Sequence, residues 1–171
     1  MNDKALSRVD TVSAGLLVLW AGAALGFAFL LAPVAFKVLP SRDLAGQVIG
    51  ATLRRLDFAS WFAFGIPLAL SYGARWLEEV KEEGIGPLRL WSAAAMVSLL
   101  ICLASSTIIT PKIQEIRARM KAPIESLAPG DPDLLAHHKA HGVSRQLLAL
   151  RVLLALALAA GTATLPKTKA A

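Results

Sequence analysis

The feature that most constrains this chain is segment 11–36, which contains no charged residue. A helix needs about 20 predominantly apolar residues to cross the hydrocarbon core of a bilayer, and this segment exceeds that length. Three further apolar runs follow, at 58–74, 90–111 and, where Arg151 is tolerated, 146–166. The pattern therefore predicts an all-α integral membrane protein.

The length of 171 residues suits one domain. We expect residues 1–171 to form a single four-span domain, a four-helix bundle with amphipathic juxtamembrane helices. The predicted organisation is spans at about 12–38, 56–75, 88–110 and 146–166, an amphipathic segment at 41–55 and a cytosolic-type loop at 111–145. Lys4 and Arg8 precede the first run as in a signal peptide, but the run is much longer than a signal-peptide core and predicts a retained span.

The net charge of +6 points to an anionic partner. The basic residues cluster beside the apolar runs and are not interleaved with stacking aromatics, so we expect membrane lipid rather than nucleic acid. Segments 37–57 and 111–145 carry ten Lys and Arg, whereas both termini and segment 75–89 carry seven. We expect a bacterial inner-membrane protein, and the positive-inside rule then places both termini outside the cytosol.

Segment 41–55 has the pattern of an amphipathic helix. Ser41 is a good N-cap, and Asp43, Gln47 and Arg54 fall opposite a broad apolar arc. Such a helix lies in the membrane interface or against the spans.

Two sequence features indicate contacts between helices. Gly22 and Gly26 form a GxxxG motif in the first span, which lets another helix approach closely and makes a homo-oligomer or a membrane partner protein plausible. In the last span, only 15 residues separate Arg151 from Lys167, so a full crossing has to include Arg151. An arginine inside a membrane is costly without a partner. Asp57 is the predicted partner, because the second and fourth spans start on the same side.

All three histidines lie in one short stretch. On a helix, Asp133, His137 and His141 recur every fourth residue and share one face, where they could ligate zinc or copper. No cofactor is required by any other motif. A metal-handling or haem-associated protein that uses His141 with His137 or Asp133 is therefore the alternative to a bundle that engages lipid, a partner or itself.

Catalytic motifs are not recognisable in the sequence. It has no nucleophile elbow, Ser-His-Asp order or glycine-rich phosphate loop, so we name no catalytic residue and expect a non-enzymatic protein. Small-solute transport by an oligomer is a third hypothesis, which would depend on Arg151 and the Ser105-Ser-Thr107 string.

Three segments resemble the transmembrane-protein-205-like family, also described as domain of unknown function 4149. They are Trp20-Ala-Gly22 through Phe29, Pro33 and Phe36 to Leu39-Pro40 and segment 45–50; Ile109-Thr-Pro111-Lys-Ile113 to Arg117; and His141-Gly-Val-Ser144. The resemblance implies a four-span membrane domain without an established activity. Among the histidines, only His141 matches the family pattern, and an expected Asn after Ser144 is replaced by Leu147 or Leu148.

The predicted topology brings several of these residues to one membrane face. From the span count, we expect a polar-lined mouth beneath the basic face, formed by Pro33, Phe36, Pro111, Arg117, His141 and Ser144.

Overall fold

The computed structural model describes residues 3–76, 85–120 and 122–165. These fold into six α-helices: α1 (Asp3–Gly26), α2 (Ala32–Val38), α3 (Arg42–Trp76), α4 (Ile85–Ala104), α5 (Thr110–Arg119) and α6 (Pro132–Gly161). The all-α prediction is confirmed for this part of the chain. Pro166, the last residue of the predicted fourth span, lies outside the described residues.

Neighbouring long helices run antiparallel. Along α1, Trp20, Ser13 and Asp10 contact positions on α3 of increasing residue number, which are Leu56, Ser71 and Arg75. α1 and α4 each pack against both α3 and α6. The ends of α2 and α5 and the starts of α3 and α6 therefore lie at the same end of the molecule.

The predicted amphipathic helix and second span form one continuous helix, α3. Ser41 caps it as predicted, because its Oγ accepts a hydrogen bond from the Leu44 amide at 3.1 Å. Pro67 lies inside α3 without ending it. At about 1.5 Å per residue, the 35 residues of α3 extend over roughly 52 Å.

Two π-helical turns precede prolines at matching places in the chain. Phe27–Leu31 joins α1 to α2 just before Pro33, and Ser105–Ile109 joins α4 to α5 just before Pro111. A proline has no amide proton for the carbonyl one turn earlier, and a wide turn accommodates the lost bond. Within the second wide turn, the Thr107 hydroxyl donates to the Leu103 carbonyl at 2.7 Å. The helix axis therefore continues through both prolines.

Three helical stretches of the described chain are long and apolar enough to cross a membrane: Lys4–Val38, Gly86–Arg119 and Pro132–Thr164. α3 is the further long helix and does not meet the same criterion. Large apolar side chains are exposed on all of these helices, among them Leu19, Phe29, Phe58, Leu100 and Leu153. This outward-facing apolar surface is typical of a protein whose solvent is lipid.

The core between the helices is apolar and holds two buried tryptophans. Leu17, Phe64 and Ala155 are fully buried there. Trp20 of α1 donates to the Leu56 carbonyl of α3 at 3.1 Å, and Trp91 of α4 donates to the Leu158 carbonyl of α6 at 2.8 Å. Each indole N–H thus finds a partner, as buried tryptophans require.

Candidate functional site

A cavity of about 1130 Å³ opens between the first half of α3, α5 and the start of α6. The short segment at 122–124 closes one side of it, where the backbone amide of Arg42 donates to the Glu125 carboxylate. Its volume is above the usual range for a drug-sized ligand. This cavity lies at the basic end of the molecule, where the sequence predicts a polar mouth.

The cavity wall combines basic and apolar side chains. Three arginines, three histidines and one carboxylate line the cavity, together with a set of apolar residues. The ionisable residues of the wall are Arg42, Asp43, Arg54, Arg117, His137, His138 and His141; the large apolar ones are Phe36, Leu44, Val48, Ile49, Leu53, Ile113, Met120 and Ile124. With the histidines neutral, its formal charge is positive.

Arg117 joins α5 to the start of α3. Its Nη2 donates to the carbonyl of Asp43 at 2.8 Å and also to the Asp43 carboxylate. Gly46 makes this possible, because a Cβ at that position would lie 2.7 Å from Arg117 Nη1. The Arg117 hydrogen bond, with a second one from Gln47, lowers the pKa of Asp43. The carboxylate is therefore held in its charged form.

The structure does not assemble the predicted three-ligand metal group. The Asp133 carboxylate lies 3.8 Å from an Arg119 guanidinium nitrogen. The rings of His137 and His141 are stacked, with centroids 6.1 Å apart, and are therefore not directed at one point. Among residues 3–76, 85–120 and 122–165, no group of three His, Cys, Asp or Glu side chains could hold a metal ion.

Only half of the predicted mouth lines the cavity. Phe36, Arg117 and His141 are in its wall, whereas Pro33, Pro111 and Ser144 are not. Ser144 is buried in the core beside the cavity, and the two prolines follow the π-helical turns. The sequence analysis did not name Arg54 and Gly46 as site residues. Both lie on the amphipathic segment, and Gly46 also lies in the family-like segment 45–50.

Arg151 and Asp57 are brought together in the interior. Arg151 Nη2 lies 2.6 Å from Asp57 Oδ1, and the two residues are 1% and 2% exposed. Ser60 Oγ and Cys102 Sγ lie 3.4 and 3.9 Å from Arg151 Nη1. The Trp20 ring lies over the guanidinium, with its centroid 5.6 Å from Cζ. The cationic charge thus has a carboxylate and an aromatic face beside it.

A second buried ion pair was missed by sequence reasoning. Arg75 Nη2 donates to both carboxylate oxygens of Asp10, at 2.8 and 2.9 Å, at the end of the molecule opposite the cavity. Ser13 and Ser71 lie next to it, with their hydroxyl oxygens 3.4 Å apart. Among the described residues, α3 therefore carries three ion pairs, each with a different helix.

Gly22 and Gly26 make no close packing contact with the other described residues. A Cβ at either position would meet nothing within 4 Å, and Gly22 is exposed. The close approach that a GxxxG motif allows is thus not made to another of the helices described above.

Three apolar helices of spanning length and the outward-facing apolar side chains identify an all-helical membrane protein. The chain belongs to the family described as domain of unknown function DUF4149, whose model matches residues 15–122. The match includes Asp57 and Arg117 and ends before α6, which holds His141 and Arg151. No curated protein matches the chain, and no solved structure does.

Proposed function

We propose that this chain is a four-span inner-membrane protein that binds an anionic lipid headgroup in its basic cavity. The observation that carries the proposal is the cavity wall, in which Arg42, Arg54 and Arg117 stand beside a continuous apolar lining. The role is that of a non-enzymatic binding protein.

The fourth span in this proposal is the second half of α3. Phe58, Phe62, Ile66 and Leu70 recur every fourth residue and are exposed, so they form an apolar stripe facing away from the core. The charged residues of the same half, Asp57 and Arg75, face the core and are paired. A helix with this distribution suits lipid contact along its outer side. With α1, α4 and α6, it completes a four-helix bundle.

Charge and shape both favour a lipid headgroup as the occupant. Guanidinium groups bind phosphate with paired, charge-assisted hydrogen bonds. Basic pockets between membrane helices on the cytoplasmic side are a recurring type of phospholipid site. The apolar part of the wall, including Phe36, Val48 and Ile113, provides a surface for the start of the acyl chains. A small soluble anion would not bind that apolar surface.

The orientation follows from the same charges. The cavity end holds more Lys and Arg than the other end, so the positive-inside rule puts the cavity on the cytosolic side and both termini outside the cytosol. The anionic headgroups of the inner leaflet are then available to the cavity. Membership of the transmembrane-protein-205-like group, on the segments at 20–50, 109–117 and 141–144, is part of this proposal.

Two neighbouring arginines provide the test. Arg54 and Arg55 are both exposed. Arg54 lines the cavity, whereas Arg55 is not in the cavity wall. Protein purified in a mild detergent is titrated with short-chain phosphatidylglycerol and with short-chain phosphatidylcholine, and binding is followed by native mass spectrometry. We expect Arg54→Gln to weaken phosphatidylglycerol binding about tenfold, or about 1.4 kcal/mol, and Arg55→Gln to leave it near the wild-type value.

A result with equal binding of the two lipids by the wild type would overturn the proposal. Equal losses in both arginine variants would do the same, because they would indicate a general effect of surface charge. Circular dichroism of both variants checks that the helices are retained.

A further inference from the structure

The Asp57–Arg151 pair contains polar atoms that no other described residue satisfies. Asp57 Oδ2 and Arg151 Nε are buried and have no hydrogen-bond partner among the described residues. One is an acceptor and the other a donor. Because they belong to two residues already joined at 2.6 Å, they lie in the same small volume. A buried polar group without a hydrogen-bond partner lowers the stability of the folded protein by about 1–3 kcal/mol.

The surroundings of the pair are polar on the side of the cavity. Leu53 and Arg54, which line the cavity, are one helical turn before Asp57 on α3. On α4 and the following π-helical turn, Cys102 and the buried Ser105 lie between the pair and the cavity-lining Thr110. On α6, the buried Ser144 lies between His141 of the cavity wall and Arg151. Ser105 and Ser144 thus place buried hydroxyl groups between the cavity and the pair, and the buried Leu148 separates Ser144 from Arg151 along α6.

The opposite side of the pair is mostly apolar and closely packed. Ser98 of α4, a buried hydroxyl on this side, donates to the Ala94 carbonyl at 2.8 Å and is therefore satisfied. The Trp20 ring covers the guanidinium of Arg151 and packs edge-on against Phe64, with ring centroids 5.3 Å apart. Leu17, Phe64 and Ala95 beyond it are almost completely buried. Along α3, the next polar residue of the core face after Ser60 is Ser71. It is 11 residues further on, or about 16 Å along the helix.

We infer that the Asp57–Arg151 pair is a water-binding site in the protein interior, and that water enters it from the basic cavity and not from the opposite face. The bound water accepts a hydrogen bond from Arg151 Nε and donates one to Asp57 Oδ2. Buried waters characteristically satisfy polar groups of this kind, with two to four partners each. The inference shares the cavity with the proposed lipid site but does not require that lipid binds there.

Cys102 is a built-in reporter of this site, because it is the only cysteine of the chain and its sulfur lies near Arg151. Its S–H stretching band is followed by infrared spectroscopy after transfer of the protein in liposomes to D₂O. The control is Ala95→Cys in a Cys102→Ser background, an equally buried cysteine on the same helix in the apolar layer. We expect conversion to S–D to be at least about tenfold faster for Cys102. Equal rates would overturn the inference.

The route is tested with an anionic, membrane-impermeant thiol reagent, 2-sulfonatoethyl methanethiosulfonate. It is added to one face or the other of liposomes that contain the protein in one orientation, and modification is measured by mass spectrometry. We expect Cys102 to react at least about tenfold faster from the cavity face, where the basic wall attracts the reagent. Equal reaction from both faces, faster reaction from the opposite face, or no reaction would overturn the route.

The proposed lipid binding is measured separately in the same protein. Lipid binding that persists while Cys102 exchanges slowly would overturn only the water site. Loss of lipid selectivity with fast exchange at Cys102 would overturn only the proposed function.

Discussion

Arg151 Nη2 and Asp57 Oδ1 lie 2.6 Å apart in the middle of the helical core, where both residues are almost completely buried. They come from α6 and α3, each of which packs against α1 and α4. Their contact is therefore a direct link across the centre of the molecule. One carboxylate and one guanidinium thus lie in a core whose other positions are mostly apolar.

The pair predicts a strong coupling in a double-mutant cycle. Asp57→Asn or Arg151→Met alone leaves the other charge buried without its partner, which costs about 3–5 kcal/mol. The double variant removes both charges, so we expect it to be more stable than the sum of the single losses implies. Unfolding by SDS titration in mixed micelles measures the cycle. Additive losses would contradict a direct pairing.

Gly46 and Gly50 predict different outcomes for the same substitution. Ala is favoured over Gly inside a helix by about 1 kcal/mol. At position 50 the new methyl group would meet Arg54 Nη1 at an ordinary 3.9 Å, so Gly50→Ala is expected to stabilise. At position 46 it displaces Arg117 from Asp43, and we expect that gain to disappear. Thermal unfolding in detergent compares the two.

The Arg117→Gln background provides the control for that comparison. Without the guanidinium, Gly46→Ala has nothing to displace, so we expect the gain to return. Loss of stability from Gly46→Ala in both backgrounds would indicate a different cause.

Asp43 predicts a loss of stability at acid pH. Its pKa is lowered in the folded protein by the Arg117 hydrogen bond, so the unfolded chain binds the proton more readily. The stabilisation is complete above the unfolded pKa and is lost as pH falls through the folded one. Between about pH 5 and about pH 2.5, we expect wild type to lose more stability than Asp43→Asn in detergent unfolding. Equal losses would contradict the prediction.

Gly22 and Gly26 of α1 predict a self-association surface. Among the described residues, neither has a neighbour that a Cβ would meet within 4 Å, so a second copy is free to pack there. We expect Gly22→Leu with Gly26→Leu to reduce dimer content in analytical ultracentrifugation. Gly15→Leu is the matched control, since Gly15 is also exposed with no neighbour within 4 Å. An unchanged distribution of oligomers would count against this surface.

The membrane class was predictable from the lengths of the apolar runs. The pairing of Asp57 with Arg151 was predictable because the second and fourth spans begin on the same side of the membrane. The Asp10–Arg75 pair was not predictable, because charged residues at the ends of spans usually contact water or lipid headgroups. The packing of α1 on α3 brings these two residues together, and both are buried.

The cavity was predicted only in part. The topology brings Phe36, Arg117 and His141 to one end, but the space between them depends on how α3 and α5 diverge. Gly46 shows the limit most clearly: its role is defined by Arg117, 71 positions away in sequence. No local pattern carries that information.

The central claim is that an anionic lipid occupies the basic cavity, and photo-crosslinking in native membranes tests it most directly. A photoreactive phenylalanine analogue replaces Gln114 in the cavity wall or, as the comparison, Phe62 on the outer apolar stripe. The crosslinked lipids are identified by mass spectrometry. The account predicts enrichment of anionic phospholipid at position 114 over position 62. The same lipid composition at both positions, or no lipid at position 114, would contradict it.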